Sequence, residues 1–422
     1  MGREDRVESR LRTEAATAAP PAAQHCHEST PPSLAAVVAV ASIITVAFSG
    51  SVLITPLYQH KFGFSEITLT LIYAVYVVGN VAALLLFGQI SDQVGRKRVA
   101  LAGLGVAAIG ALLFLFAQST AQLFVGRLLI GIAVGIASGT ATAWLAELYG
   151  RSRRAAATLT AATANLSGIA LGPLAGGVLA QYAPWPLRLP FLAYLVVLAV
   201  VAVAVARTAE TRPRRIDRPR ELRVHPRIGV PRDRLGSFTA PALTGFVTFA
   251  LGGLYFALIP SIVITDLHQT NIAVGGLFVF ELGVIAAALI VAGRGLRPAT
   301  AMTTGLLLLL PAVALVVSAQ AMRSMLLLVL AAALAGVTMA FGYRGSLEVV
   351  NQIAPDDRRA EVVSSYYIAC FLGNSVPVIG LGVLSTLTNP LMASVAFAGT
   401  LAAFSIAALA WRQQHQTGTS HH

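Results

Sequence analysis

Residues 88–98 read GQISDQVGRKR, a polar stretch held between two long apolar runs. It sets one acid, Asp92, beside three bases, Arg96, Lys97 and Arg98, with glycines at Gly88 and Gly95. The flanking runs, residues 69–90 and 99–118, are each long enough to cross a bilayer as a helix, which takes about 20 residues. An acid at a membrane edge is costly unless it has partners. The bases alone read as topological anchors, but that does not account for Asp92. Gly88 permits close helix approach, and Gly95 permits a turn with positive φ.

Working outward, the same pattern of apolar run and short basic break recurs along the chain. Of 422 residues, 56% are hydrophobic and only 11% are charged. A soluble surface needs about 25% charged residues, so the composition points to the membrane. Twelve spans are expected, at about 34–57, 69–90, 99–118, 121–148, 157–181, 190–207, 238–262, 272–293, 299–318, 323–350, 362–385 and 389–411. Backbone polar groups cannot go unpaired in lipid, so these are read as helices. The fold class is an all-α membrane protein of two pseudo-symmetric six-helix bundles.

The bases orient it. With the N-terminus inside, 25 of the 30 Lys and Arg fall in inside segments, and only Lys61, Arg188 and Arg323 fall outside. The positive-inside rule then predicts a multi-pass protein of the plasma (inner) membrane with both termini cytoplasmic. The expected organisation is a disordered tail (1–33), a six-helix bundle (34–207), a basic linker (208–237), a second bundle (238–411) and a short tail (412–422). The halves look related: Arg153-Arg154-Ala155 answers to Arg358-Arg359-Ala360 at an offset of 205, and Pro173 to Pro377 at 204. Such internal repeats are typical of secondary transporters, with the substrate site between halves near the midplane.

The net charge of +12 does not imply nucleic acid, because the arginines lie in short breaks with no basic face. Cys26 and Cys370 form no disulfide framework. His25-Cys26-His27 lacks further metal ligands, and no metal or cofactor is expected. No phosphate-cradling, zinc-helix or nucleophile-elbow motif occurs, so the chain does not read as an enzyme.

Gly88, Asp92, Gly95, Arg96 and Lys97 together resemble the signature loop of the major facilitator superfamily. The resemblance implies that Asp92 and Arg96 belong to a cytoplasmic gate latch, with Glu147 as a third member and the N-terminus of helix eleven facing the acid. In the second half the matching segment, Gly293-Arg294-Gly295-Leu296-Arg297, has no acid. Span five carries Gly168, Gly172, Pro173, Gly176 and Gly177, which resembles the antiporter motif of the family's drug exporters. Read without the family, the same glycines are a helix-packing stripe.

Two charged residues within spans are candidates for proton coupling. Arg127, in span four, resembles the family's helix-four arginine; snorkelling to the headgroups is the alternative. Glu281 is the acid nearest the middle of a span, where it either carries a proton, holds a cationic substrate or is a neutral structural group. Arg344 and Glu348 are spaced to pair on one face of span ten. Tyr73, Tyr76, Asn80, Tyr255, Tyr343, Arg344 and Asn374 are cavity candidates, with Tyr366 and Tyr367 beside them; ordinary packing is the alternative for each.

The expected function is export of a small organic compound in exchange for protons by alternating access. The alternatives are a proton-coupled importer or uniporter of a nutrient such as a sugar, and a membrane sensor that no longer transports. A monomer in contact with lipid is expected, with no nucleic-acid partner.

Overall fold

A computed structural model of the chain describes residues 33–50, 55–150, 153–211, 228–355 and 358–417. The expected tail at 1–33, with its His25-Cys26-His27, falls outside these but for residue 33, and so does most of the linker. Twelve main helices occur among them: α1 (Leu34–Gly50), α2 (Glu66–Val94), α3 (Arg96–Leu115), α4 (Thr120–Tyr149), α5 (Arg154–Tyr182) and α6 (Leu189–Arg207), then α7 (Leu235–Ala257), α8 (Ile272–Ala292), α9 (Pro298–Ala321), α10 (Met325–Ile353), α11 (Arg359–Leu387) and α12 (Pro390–Thr417). Short helices follow α1 (Thr55–Phe62) and α7 (Ile259–Thr265). All but α1 are long and apolar enough to cross a membrane; α1 is apolar but has only 17 residues.

Two sequence-based boundaries need correction. The span expected at 34–57 is helical over Leu34–Gly50, and residues 51–54 lie outside the described residues; the one expected at 238–262 stops at Ala257. Pro260 has no N–H to continue the second helix, so the chain bends at Leu258 and starts a new one. The signature loop is not a loop: α2 continues to Val94, α3 starts at Arg96, and the joint is Gly95 alone. Gly95 has φ 111°, a value that favours glycine.

Helix starts differ between the two ends. At one end α3, α5, α7, α9 and α11 start behind Gly95, Arg153, Arg234, Arg297 and Arg358, none making a side-chain cap bond. At the other end the Ser65 and Ser324 hydroxyls and the Asn271 side chain accept N–H bonds from the first turns of α2, α10 and α8, while α6 starts behind Arg188 without such a bond. These caps satisfy donors that would otherwise be orphaned. The first end is called the basic end below, and the second the far end.

The helix pairs repeat. Contacts of α2 with α4, α3 with α4, α1 with α5 and α3 with α6 recur six helices later as α8–α10, α9–α10, α7–α11 and α9–α12. One hydrophobic core is built almost wholly from α1–α6 and a second mainly from α7–α12. Glycines set the closest approaches: a Cβ at Gly131 or Gly135 would run into the Tyr76 or Asn80 carbonyl of α2. The outward stripe of α6 is apolar, with Val196 and Val200 each 64% exposed, as a lipid-facing helix requires. The two halves meet chiefly through α2 with α11 and α5 with α8.

Candidate functional site

The halves enclose a cavity of about 740 Å³. At the far end it is shut by two reciprocal seams. In one, Tyr73 of α2 donates to Asn374 Oδ1 (3.2 Å), and the Asn374 amide donates back to the Tyr73 oxygen (2.9 Å). Further out, Gly382 of α11 lies so close to Thr70 that a Cβ would clash. In the other seam, Gly276 of α8 packs on the Pro173 carbonyl and Gly177 of α5 against Ala273. Beyond it, Ile272 N–H donates to Gln181 (2.8 Å), and the Asn271 amide donates to the Tyr182 oxygen (2.7 Å). Toward the basic end the lining continues through Thr158 of α5 and Arg294, Leu347 and Glu348. The cavity therefore reaches the basic end and is sealed from the far end.

Of the expected cavity residues, Tyr73, Tyr76, Tyr343, Arg344 and Asn374 line it, and so does Tyr367. Asn80, Tyr255 and Tyr366 do not: each is fully buried between helices. They lie on apolar helices with two buried faces, and periodicity cannot say which face opens on a cavity. Arg344 lines the wall but is bound up. Its Nε donates to Glu348 Oε1 (2.9 Å), and its terminal nitrogens donate to the Glu348 second oxygen and to the carbonyls of Gly293, Arg294 (3.0 Å) and Leu296.

The expected latch residues come together at the basic end. Arg96 is 4% exposed, and its guanidinium bonds Asp92, Ser91 and Glu147 (3.0 Å). A residue the sequence reading missed completes the group. Glu210, three residues past α6, accepts from Arg96 N–H (2.9 Å) and Lys97 N–H (3.0 Å), so a carboxylate sits on the N-terminus of α3. The next residue, Thr211, donates to Glu147 Oε2 (2.6 Å). The signal was an acid in a basic linker, which reads as an ordinary solvated charge. Gly88 lies in the last two turns of α2.

In α5, Gly168 and Gly172 face α1. A Cβ at either would strike the carbonyl of Thr45 or Ser49. Ser49 Oγ donates to the Gly168 carbonyl (3.2 Å). Pro173 and Gly177 face α8, and Gly176 is buried. The stripe thus has one set of small residues for each neighbour.

Neither charged candidate within the spans lies on the cavity wall. Arg127 is 3% exposed and stacks on Phe114, with its guanidinium carbon 5.6 Å from the ring centre. It lies behind Tyr73 and Tyr76, near enough to feel both. Glu281, midway along α8, is part-exposed and shares a helix face with the exposed Leu277 and Val284, one turn to either side. Tyr255 of α7 is near it. Among the described residues no cluster of three metal-ligating side chains occurs.

Solved transporters share this architecture. A peptide transporter in complex with sulfate superposes with TM-score 0.74 at 14% identity, covering 90% of this chain and 94% of that one. A bacterial homolog of the human lysosomal transporter Spinster, in an inward-facing and unoccupied conformation, gives 0.66 at 16%, covering 89% and 94%. At such identities the likeness concerns the fold. In sequence, the chain is 33% identical over 152 residues to the MFS-type transporter traF of Penicillium crustosum, covering 35% of this chain and 32% of that protein. It is 30% identical over 135 residues to the multidrug resistance protein MdtL of Klebsiella pneumoniae (31% and 33%). It is 29% identical over 147 residues to the bacillibactin exporter of Bacillus subtilis (33% and 37%). The matches thus span about a third of these curated relatives. The sequence profile of the Major Facilitator Superfamily matches residues 35–378. With that match, the chain belongs to the Major Facilitator Superfamily, a family of transporters.

Proposed function

We propose that the protein exports a small, largely apolar organic compound across the plasma membrane in exchange for protons, by alternating access. The observation that carries this reading is the cavity between the halves, sealed at the far end by two reciprocal seams and continuous with the basic end. By the positive-inside rule the basic end faces the cytoplasm, so the described state is inward-open. Rocking of α1–α6 against α7–α12 breaks the Tyr73–Asn374 and Gln181–Ile272 contacts and closes the basic end.

The wall favours a drug-like compound over a sugar. Its side chains are mostly apolar or aromatic, whereas a sugar site needs convergent hydrogen-bond partners for each hydroxyl. The multidrug and siderophore exporters among the relatives point the same way. In α5, Pro173 and Gly177 supply the smooth surface on which α8 turns, and Gly168 and Gly172 seat α1.

In this reading Asp92, Arg96, Glu147 and Lys97 with Gly88 and Gly95 form the cytoplasmic latch. Proton coupling is assigned to Glu281 and Arg127, acting from behind the wall. Arg127 lies near Tyr73, a member of one seam; Glu281 sits on α8, whose far half forms the other seam. An ion gradient supplies the energy, about 2.3 kcal/mol per charge per 100 mV.

The test is dye transport in everted vesicles. An inward-acid gradient is expected to drive uptake of an amphipathic fluorescent compound, and Glu281→Gln to abolish the gradient dependence. Unchanged uptake after the gradient is collapsed would overturn proton exchange. Gradient-driven uptake that survives Glu281→Gln would remove that residue from the coupling.

A further inference from the structure

Three charged side chains line the cavity: Arg294, Arg344 and Glu348. Two of them cancel. Both carboxylate oxygens of Glu348 accept from Arg344, at 2.9 and 3.4 Å. Other Arg344 donors go to the carbonyls of Gly293, Arg294 and Leu296. Arg344 is therefore a positioning residue that fixes the turn between α8 and α9. That turn displays Arg294 at the cavity mouth. Among the described residues no acid is paired with the Arg294 guanidinium. Among the described residues, then, the wall carries one positive charge with no acid set against it.

Next to it lies an aromatic wall. Tyr343, adjacent to Arg344 in α10, meets Phe249 edge-on at 5.5 Å, and Phe249 meets Phe371 at 6.0 Å. Tyr367 stacks with Phe371 at 6.3 Å, and its hydroxyl bonds that of Tyr343 (3.2 Å). All four rings line the cavity, with Tyr73 and Tyr76 on the opposite wall. Flat rings gain offset or edge-on contacts in such a box.

We propose that the cavity selects planar aromatic monoanions, the rings lying against Phe249, Tyr343, Tyr367 and Phe371 and the anion on Arg294. The guanidinium fork matches a carboxylate or sulfonate, and an aromatic cation meets repulsion at the mouth. A second negative charge on the ligand finds no partner on the apolar wall and stays desolvated. The proposal deepens the transport reading above, and it rests on that reading only in calling the ligand a substrate.

The test uses two dyes with the same ring system: 8-anilinonaphthalene-1-sulfonate and its uncharged parent, N-phenyl-1-naphthylamine. Binding is measured on the full chain in phosphatidylcholine nanodiscs, with empty discs subtracted. A single charge-assisted contact at a partly wet mouth predicts about a fivefold preference for the sulfonate in the wild type. Arg294→Gln removes that preference and leaves the uncharged dye unchanged, which also shows that the cavity has kept its fold. Arg294→Lys retains part of it.

Sulfonate binding that is the same in wild type and Arg294→Gln would overturn the proposal, as would a wild type that binds the cation proflavine more tightly. Discs with phosphatidylglycerol separate a second anion source. If the anionic lipid weakens sulfonate binding in wild type but not in Arg294→Gln, the arginine serves headgroups and the proposal fails. Dye flux that ignores a proton gradient breaks the exchange reading and leaves this binding preference standing.

Discussion

The two halves secure the same joint by opposite chemistry. In the first half, the α2–α3 joint is a single glycine, held because a buried arginine gathers the carboxylates of Asp92 and Glu147 while Glu210 caps α3. In the second half, the α8–α9 turn carries no acid. It is held from α10 by Arg344, whose donors grip three main-chain carbonyls just past the end of α8. A cation there suits the negative end of the helix dipole, as a carboxylate suits the positive end at α3. A repeat can thus keep its geometry while exchanging side-chain acceptors for backbone ones. The exchange frees the Arg294 side chain for the cavity, whereas Arg96 is fully engaged.

The largest effect expected from breaking this comparison is at Arg96. Arg96→Ala removes the guanidinium that Asp92 and Glu147 share. Because Asp92 is nearly half exposed, the cost is about 2–3 kcal/mol rather than the full value for a buried pair. Thermal unfolding in nanodiscs checks it, and a loss under about 0.5 kcal/mol, the level of an ordinary surface change, would show that the latch does not hold the joint.

Arg344→Ala comes next, at about 2 kcal/mol, since carbonyls near the membrane face lose their donor and Glu348 loses its partner. The sharper sign is specificity: Arg344→Ala releases the turn, and sulfonate binding falls although Arg294 is intact. Glu210→Gln is the smallest, about 1 kcal/mol or less, because the amide keeps one acceptor and Glu210 is exposed. Its effect should shrink further in high salt, while that of Arg344→Ala, which rests on neutral carbonyls, should not.

Much of this was legible in sequence. The apolar runs marked the spans, and the resemblance of 88–97 to the family's signature loop brought Asp92 and Arg96 together. The pairing of Arg344 with Glu348 followed from their spacing by four residues. Four things were hidden for physical reasons. Glu210 looked like a solvated linker charge, because what makes it a cap is a tertiary contact 114 residues away. Glu281 looked central because depth along a helix can be read from sequence, whereas its facing side depends on which neighbours cover Leu277 and Val284. Asn80 and Tyr255 looked like cavity residues because a polar group in an apolar helix suggests a wet surface, yet both are packed between helices. Arg294 escaped notice because, as one of two arginines in a basic break, it reads as a topological anchor.

The central claim is that the two ends of the cavity open alternately. Pulsed electron resonance distances between spin labels test it most directly, with Cys26 and Cys370 replaced. One pair, Phe116→Cys with Leu387→Cys, reports the far end; the other, Arg207→Cys with Gln352→Cys, reports the basic end. All four sites are exposed. The account predicts that shifting pH across the transport range populates a second state in which the far-end distance lengthens and the basic-end distance shortens together. Single, unmoving distances at both ends in a chain that still transports would contradict it.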